Sequence, residues 1–274
     1  MEAVFMLCAC VSILSVALIC IFLFANGIPA MTKIGFFDFI FGRKWKPSNE
    51  IFGIFPMIIG SIYITAGAII IGVPVGLLCA VFMAKFCPSG IYRIMKPAVD
   101  LLAGIPSIVY GFFALMVIVP VVQTLTGTSG KGILSASIML AIMILPTIVS
   151  VSEAAIRAVP ESYYEGSLAL GATHERSVFF ATLPAAKSGI MAGVVLGIGR
   201  AIGETMAVSM VAGNQPILPD SILSGVRTMT ANVIIEMGYA EGLHREALIA
   251  TAVVLFVFIL IINISLSLLK RGDK

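Results

Sequence analysis

Six long apolar stretches, parted by clusters of charged and turn-forming residues, set the pattern of the chain. They cover Ala3–Ala25, Phe52–Met83, Pro106–Val122, Ile133 to roughly Ile156, roughly Ala185 to Val211, and Ala247–Leu269. About 20 apolar residues carry a helix across about 30 Å of hydrocarbon, where only a helix or a closed barrel satisfies its own backbone. The pattern predicts an all-α membrane protein with six transmembrane helices. The first run exceeds the roughly 7 to 15 residue core of a signal peptide and has no basic start, so it reads as a retained span. Gly72, Pro74 and Gly76 interrupt the second run and predict a kink. Between spans two and three, Arg93, Lys96 and Asp100 alternate with Ile91, Ile94, Met95 and Val99, as in a helix lying in the membrane interface over Cys87–Leu102. Asn26–Glu50, Arg157–Leu183 and Ala212–Glu246 read as loops. The organisation expected is a first helix with an external loop (1–50), a five-helix core (51–270) and a short cytoplasmic tail (271–274).

Composition removes the soluble alternatives. The chain is 59% hydrophobic and 11% charged, with mean hydropathy +1.10, against about 45 to 50% and about 25% in ordinary globular domains. The net charge is only +3, and the basic residues are scattered, which argues against nucleic acid as a partner. Lys85, Arg93, Lys96, Arg157, Arg176, Lys187, Lys270, Arg271 and Lys274, nine in all, fall on the side of the C-terminus. Lys33, Arg43, Lys44, Lys46, Lys131, Arg227 and Arg245, seven in all, fall on the other. The excess places both termini in the cytoplasm, with the chain in the cytoplasmic (inner) membrane. Cys8, Cys10, Cys20 and Cys79 lie in apolar runs and read as small fillers; His174 and His244 read as solvated loop residues. Gly127–Gly132 lacks the spacing of a phosphate-cradling loop, and Gly197–Gly203 lacks that of a dinucleotide site. The chain therefore offers no nucleotide or metal site, and no cofactor of its own is expected.

The polar stretch 160–184 carries the first chemistry. Pro160 opens a helix, Glu161 and Glu165 suit its N-terminal end, and Gly171 suits a left-handed C-terminal cap. A helix of two to three turns is predicted, too short to span, with Tyr163, Tyr164, Leu168 and Leu170 giving it a docking surface for another protein. The stretch resembles the cytoplasmic signature of ABC importer membrane subunits, E-A-A, three residues, G, nine residues, I, one residue, L-P. Glu165, Gly166 and Ser167 stand in the first three places, Gly171 in the glycine place, and Leu183 and Pro184 in the last two; Gly166, Ser167 and Ala181 depart from it, all small. The resemblance implies a six-helix permease of the MetI-like type whose short coupling helix sits in a groove of a separate ATPase.

Span five carries the second. Gly193–Val208 places Arg200 and Glu204 four apart, on one face of a continuous helix. A charge at a span centre costs about 2.5 to 3.5 kcal/mol, so both are expected to face protein or a water-filled path. Two readings stay open: a neutralising pair that fixes packing, or a forked guanidinium offered to a passing oxyanion with Glu204 preventing a trap. Gly193, Gly197, Gly199 and Gly203 allow close helix approach. The segment R-A-I-G-E-T-M-A-V resembles the phosphate-specific permeases; R-A-x-G-E is shared with sulfate and molybdate permeases, and Thr205 and Met206 favour the phosphate type. Segments 53–61, 101–113, 141–150 and 227–240 are similar to the PstC type. That resemblance implies a translocation path through Arg200, Glu204 and Thr205 and a heterodimer with a PstA-type permease. It also implies a PstB-type ATPase dimer that uses ATP and Mg, and a PstS-type phosphate-binding protein docked outside on the loops around Trp45 and 212–246. Two rivals are weighed. An ion-coupled secondary transporter would show internal repeats or discontinuous helices. A membrane-embedded enzyme would need converging catalytic groups.

Overall fold

The computed structural model describes residues 1–271, with the side chains of all but Ala3 and 266–271. The rest of the expected tail, 272–274, lies outside the described residues. Six helical stretches are long and apolar enough to cross a membrane: Val4–Ile34, Phe55–Phe86, Ser107–Thr126, Ile133–Arg157, His174–Gly203 and Gly242–Ser265. The sequence pattern placed all six, and the structure adjusts their ends.

The first helix, α1, runs Glu2–Ile34 and continues past Gly27 and Pro29, where the sequence reading placed a loop. Gly27 is used for contact, since a Cβ there would lie 2.5 Å from Val253 Cγ2 on the last helix. Gly35, at φ 100°, turns the chain into a short α2, Phe36–Phe41. A two-stranded antiparallel ribbon follows, β1 Trp45–Lys46 paired with β2 Ile51–Phe52. Helix α3, Phe55–Val81, holds Pro74 inside it and passes into a π turn, Phe82–Phe86. The amphipathic α4, Ser89–Ala103, lies between spans as the residue alternation predicts. Span three is α5, Ser107–Phe113, a π turn, Ala114–Ile118, and α6, Val119–Thr126.

Helix α7, Ile133–Arg157, is the most buried span and packs most extensively on α3. Small residues make the approach close: Cβ atoms at Gly67, Gly72 and Gly76 would lie 2.4, 3.0 and 2.9 Å from side chains of Ser137, Ile144 and Ile148. Gly72 and Gly76, two of the three residues expected to interrupt span two, thus also pack it. Beyond α7 come α8, Glu161–Ala169, α9, His174–Ser177, and a π turn, Val178–Thr182. Helix α10, Leu183–Gly203, is followed by α11, Met206–Val211. The loop expected over 212–246 contains a further helix, α12, Met229–Glu236, and α13 begins at Gly242 and runs to Arg271. The main core gathers α3, α5, α7 and α11 around Met139, Leu140, Met143 and Ile144; a second joins α1, the ribbon and α13 around Phe39, Ile54 and Met57. If all six stretches cross, α4, α8 and α9 fall on the side where α1 begins. The ribbon, the loop after α11 and α12 lie on the other face.

Candidate functional site

Span five is not continuous. Helix α10 ends at Gly203; Glu204 is extended (φ −69°, ψ 132°) and Thr205 is non-helical (φ −122°, ψ −60°) before α11 begins. The Glu204 carboxylate accepts the Ala207 amide at 3.0 Å, satisfying one of the amides that a helix start leaves open. The Thr205 hydroxyl donates to the Gly203 carbonyl at 3.1 Å. The expectation that span five is one continuous helix is therefore corrected: the break enters at ψ of Glu204, after the stretch that carries Arg200. The Arg200 guanidinium instead donates to the Thr147 hydroxyl on α7, at 3.2 Å, one residue past Pro146. Among the described residues no ion pair joins Arg200 to Glu204. Arg200, Glu204 and Thr205 nonetheless share one neighbourhood, at and beside the break, all partly accessible.

The four glycines divide. Cβ atoms at Gly193 and Gly197 would meet Ser152 and Ile148 of α7 at 3.0 and 2.8 Å, whereas Gly199 and Gly203 have nothing within 4 Å of such an atom. Two serve packing within the chain, and two border open space on either side of Arg200. The break is held from two sides. A Cβ at Gly111 of α5 would lie 2.7 Å from Ala207 Cα, so α5 presses on α11. The Thr230 hydroxyl of α12 donates to the Glu204 carbonyl at 3.0 Å.

On the same membrane face as the end of span five, the Glu236 carboxylate, 6% exposed, collects three donors. Oε1 accepts from Arg227 at 2.5 Å, and Oε2 accepts from Trp45 Nε1 and His244 Nε2, each at 2.8 Å. Arg227 also donates to the Asn214 carbonyl and to Asn232 Oδ1. His244 is stacked on Phe52 with ring centroids 5.9 Å apart, not solvated as the sequence reading expected. Trp45 is buried, so it ties the ribbon to α12 and α13 from within. The Tyr239 phenol beside this cluster is pushed above its ordinary value, by burial first and then by the Glu236 charge, against Arg227.

On the opposite face, α8 stands where the short helix was predicted, and Gly171 adopts the left-handed φ of 84° that its capping role requires. Tyr163, Glu165, Gly166, Leu168 and Leu170 face outward. Tyr164, Ser167 and Leu183 form the base instead. Tyr164 bonds His174 Nδ1 at 2.7 Å and lies under Lys85, Ser177 donates to Ser167 at 3.0 Å, and Leu183 packs on the buried cluster that includes Ile156, Val178 and Ala186. Pro184 is exposed at the start of α10. His174, wedged edge-on against Phe86 with centroids 4.8 Å apart, is likewise no solvated residue.

On this same face, near the end of α7, the structure shows a charged group that the sequence reading passed over. Glu153, 3% exposed on α7, bonds Arg157, accepts from Tyr92 at 2.9 Å and pairs with Lys96 at 3.4 Å. Arg157 reaches across to the Met83 carbonyl at 2.9 Å and stacks on the Tyr92 ring. The Tyr92 phenol is pushed up by burial and by its bond to Glu153, and Lys96 is also raised, the pull of Glu153 and Asp100 outweighing burial. The i, i+4 spacing of Glu153 and Arg157 at the end of span four was the available signal.

Residues 72–272 match the family of binding-protein-dependent transport system inner membrane components. The chain is 37% identical over 267 residues to the "Probable ABC transporter permease protein YqgH" of Bacillus subtilis, covering 93% of this chain and 86% of the relative. It is 36% identical over 277 residues to the phosphate transport system permease protein PstC of Mesorhizobium japonicum, covering 93% and 84%. Among solved structures, an inward-facing MetNI methionine ABC transporter aligns with TM-score 0.63 at 20% identity, covering 84% of this chain and all of that one. A bacterial alginate ABC transporter in complex with a pentasaccharide-bound periplasmic protein aligns at 0.64 and 13%, covering 97% and 94%. Both structural likenesses bear on the fold alone.

Proposed function

Because the chain belongs to the binding-protein-dependent transport system inner membrane component family, we propose that it forms half of the translocation path of an ATP-driven importer of inorganic phosphate. It is a multi-pass inner-membrane permease, and permeases of this kind work with an ATPase and a substrate-binding protein. The observation that carries the cargo is the agreement with phosphate transport permeases over most of both chains. It includes the segment where span five breaks. A break in span five does occur here, so a discontinuous helix alone does not separate this reading from a secondary transporter; family membership does.

In this reading Arg200, Glu204 and Thr205 line the path. The guanidinium presents forked donors to the oxyanion beside two glycines that leave room for it, and the break supplies the pivot for alternating access. Glu204, engaged as the cap of α11, moves with that pivot rather than neutralising Arg200 directly. Outward-facing Tyr163, Glu165, Gly166 and Leu168 enter the ATPase groove, while Tyr164, Ser167, Gly171, Leu183 and Pro184 set the angle of α8 on span five. The partners are a PstA-type permease, a PstB-type ATPase dimer and a PstS-type binding protein. ATP and Mg act on the ATPase, this chain holds no nucleotide or cofactor, and both termini face the cytoplasm. Labelled phosphate uptake at limiting phosphate, with and without the chain and with sulfate and molybdate as competitors, tests the reading. Loss of uptake untouched by either competitor supports phosphate; unchanged uptake moves the cargo to another oxyanion. Arg200→Gln should abolish uptake with assembly intact, and normal uptake would leave Arg200 as a packing residue held by Thr147.

A further inference from the structure

We infer that Glu236 is a positioning residue for transport: it anchors α12 to the outer face, and α12 holds the break at Glu204–Thr205 through Thr230. The inference rests on the reading of that break as part of the path.

At one end of α12, a single buried carboxylate gathers Trp45 from the ribbon after span one, Arg227 from the loop after α11 and His244 from the first turn of span six. Arg227 adds the Asn214 carbonyl and Asn232. Donors from three elements, one of them 191 positions away in the chain, thus meet on Glu236, at the face that a binding protein approaches. At the other end, Thr230 donates to the Glu204 carbonyl at 3.0 Å, and the Met229 amide donates to Ser61 of α3 at 3.0 Å. The Glu204 carbonyl is free to accept because ψ of 132° turns it out of the α10 ladder.

At 1.5 Å per residue, about 9 Å of helix separates Thr230 from Glu236. Met229, Thr230, Ala231, Asn232 and Glu236 are all buried. A short helix packed on both sides has little freedom to bend, so a shift of the Glu236 cluster is passed to Thr230 as a rigid displacement. Stability alone gives a weak reason to retain such a cluster, since burying paired charges is often no better than burying apolar groups. Communication between the outer face and the break gives it a use.

The test is a double-mutant cycle on the assembled importer in proteoliposomes, reading basal ATPase, binding-protein-stimulated ATPase and phosphate uptake. Trp45→Phe keeps the ring and removes the N–H, and Thr230→Val keeps the shape and removes the hydroxyl. Each should lower stimulated ATPase by roughly three- to tenfold, the reach of one hydrogen bond, with basal ATPase unchanged. The double variant should be no worse than the poorer single one, because both cut the same linkage. Thr230→Ser should restore stimulation. Where Trp45→Phe does not assemble, Glu236→Gln takes its arm of the cycle. Single variants without effect, or losses that multiply in the double variant, would overturn the inference. Stimulated ATPase is read independently of uptake in Arg200→Gln, so a failure of the path assignment is separable from a failure of the linkage.

Discussion

The indole N–H of Trp45 donates to the Glu236 carboxylate across 2.8 Å, joining positions 191 apart in the chain. Trp45 is the single tryptophan, so its emission reports on this contact alone. Glu236→Ala removes the acceptor shared by Trp45, Arg227 and His244 and leaves a guanidinium that is 14% exposed without its carboxylate. Breaking a buried pair from one side costs about 3 to 5 kcal/mol. The expected outcome is a lower unfolding temperature in detergent and a red shift of the tryptophan emission as water reaches the ring. An unshifted emission maximum would show that Trp45 is held by packing alone.

Glu153 makes the corresponding knot on the other face. Glu153→Ala leaves Arg157 only the Met83 carbonyl and Lys96 only Asp100, and as these cations are 45% and 29% exposed, water screens part of the loss and about 1 to 3 kcal/mol is expected. Because Tyr92 and Lys96 both lie on α4, that helix should loosen first. Limited proteolysis should cut near 87–104 sooner than in the parent chain, and Glu153→Gln, which keeps an acceptor for Tyr92, should lie between the two. Equal cleavage rates in all three would mean that α4 is held by other contacts.

The spans were legible because lipid imposes a length and a composition that few other constraints match. The short α8 was legible because its first turn and its Gly171 cap are local signals. What escaped the sequence reading depends on partners distant in the chain. Gly27 and Pro29 look like helix breakers, yet α1 continues to Ile34 because Gly27 packs on Ala250 and Val253. Span five looks like one continuous helix, yet Thr230 on the Glu204 carbonyl and the Ala207 amide on its carboxylate stabilise a break at Glu204–Thr205. His174 and His244 look solvated, since Phe86 and Phe52, which bury them, are 88 and 192 positions away. The candidate site residues were chosen by motif, and their division into outward-facing and basal groups on α8 is a matter of three-dimensional packing.

Gly171 sits at φ 84° with open space around it, so its requirement is conformational rather than steric. Gly171→Val forces a β-branched residue into the left-handed region, a conformation costing roughly 1 to 2 kcal/mol for L-residues, and so re-aims α8. The expected outcome is weakened co-purification of the ATPase and loss of its stimulation, with the six spans still folded. Gly171→Asn, which tolerates that φ better, should retain most of the coupling. Normal stimulation in the valine variant would remove α8 from the coupling assignment.

The two glycine pairs of α10 separate packing from path. A side chain at Gly197 must displace Ile148, whose Cγ1 would lie 2.8 Å from the new Cβ, in a core already filled by Ile144 and Ile148. Over-packing of this kind costs about 1 to 3 kcal/mol, so Gly197→Val should lower the unfolding temperature of the purified chain. A side chain at Gly199 meets nothing within 4 Å, so Gly199→Val should leave that temperature within a degree or two, as a surface substitution of about 0.5 kcal/mol or less would. If the open space beside Arg200 belongs to the path, Gly199→Val should cut phosphate uptake in the assembled importer while the complex still forms. If that space instead receives the second permease, the same variant should block assembly. Pull-down of the partner subunit beside the uptake measurement distinguishes the two, and unaltered uptake with full assembly would place both path and partner elsewhere.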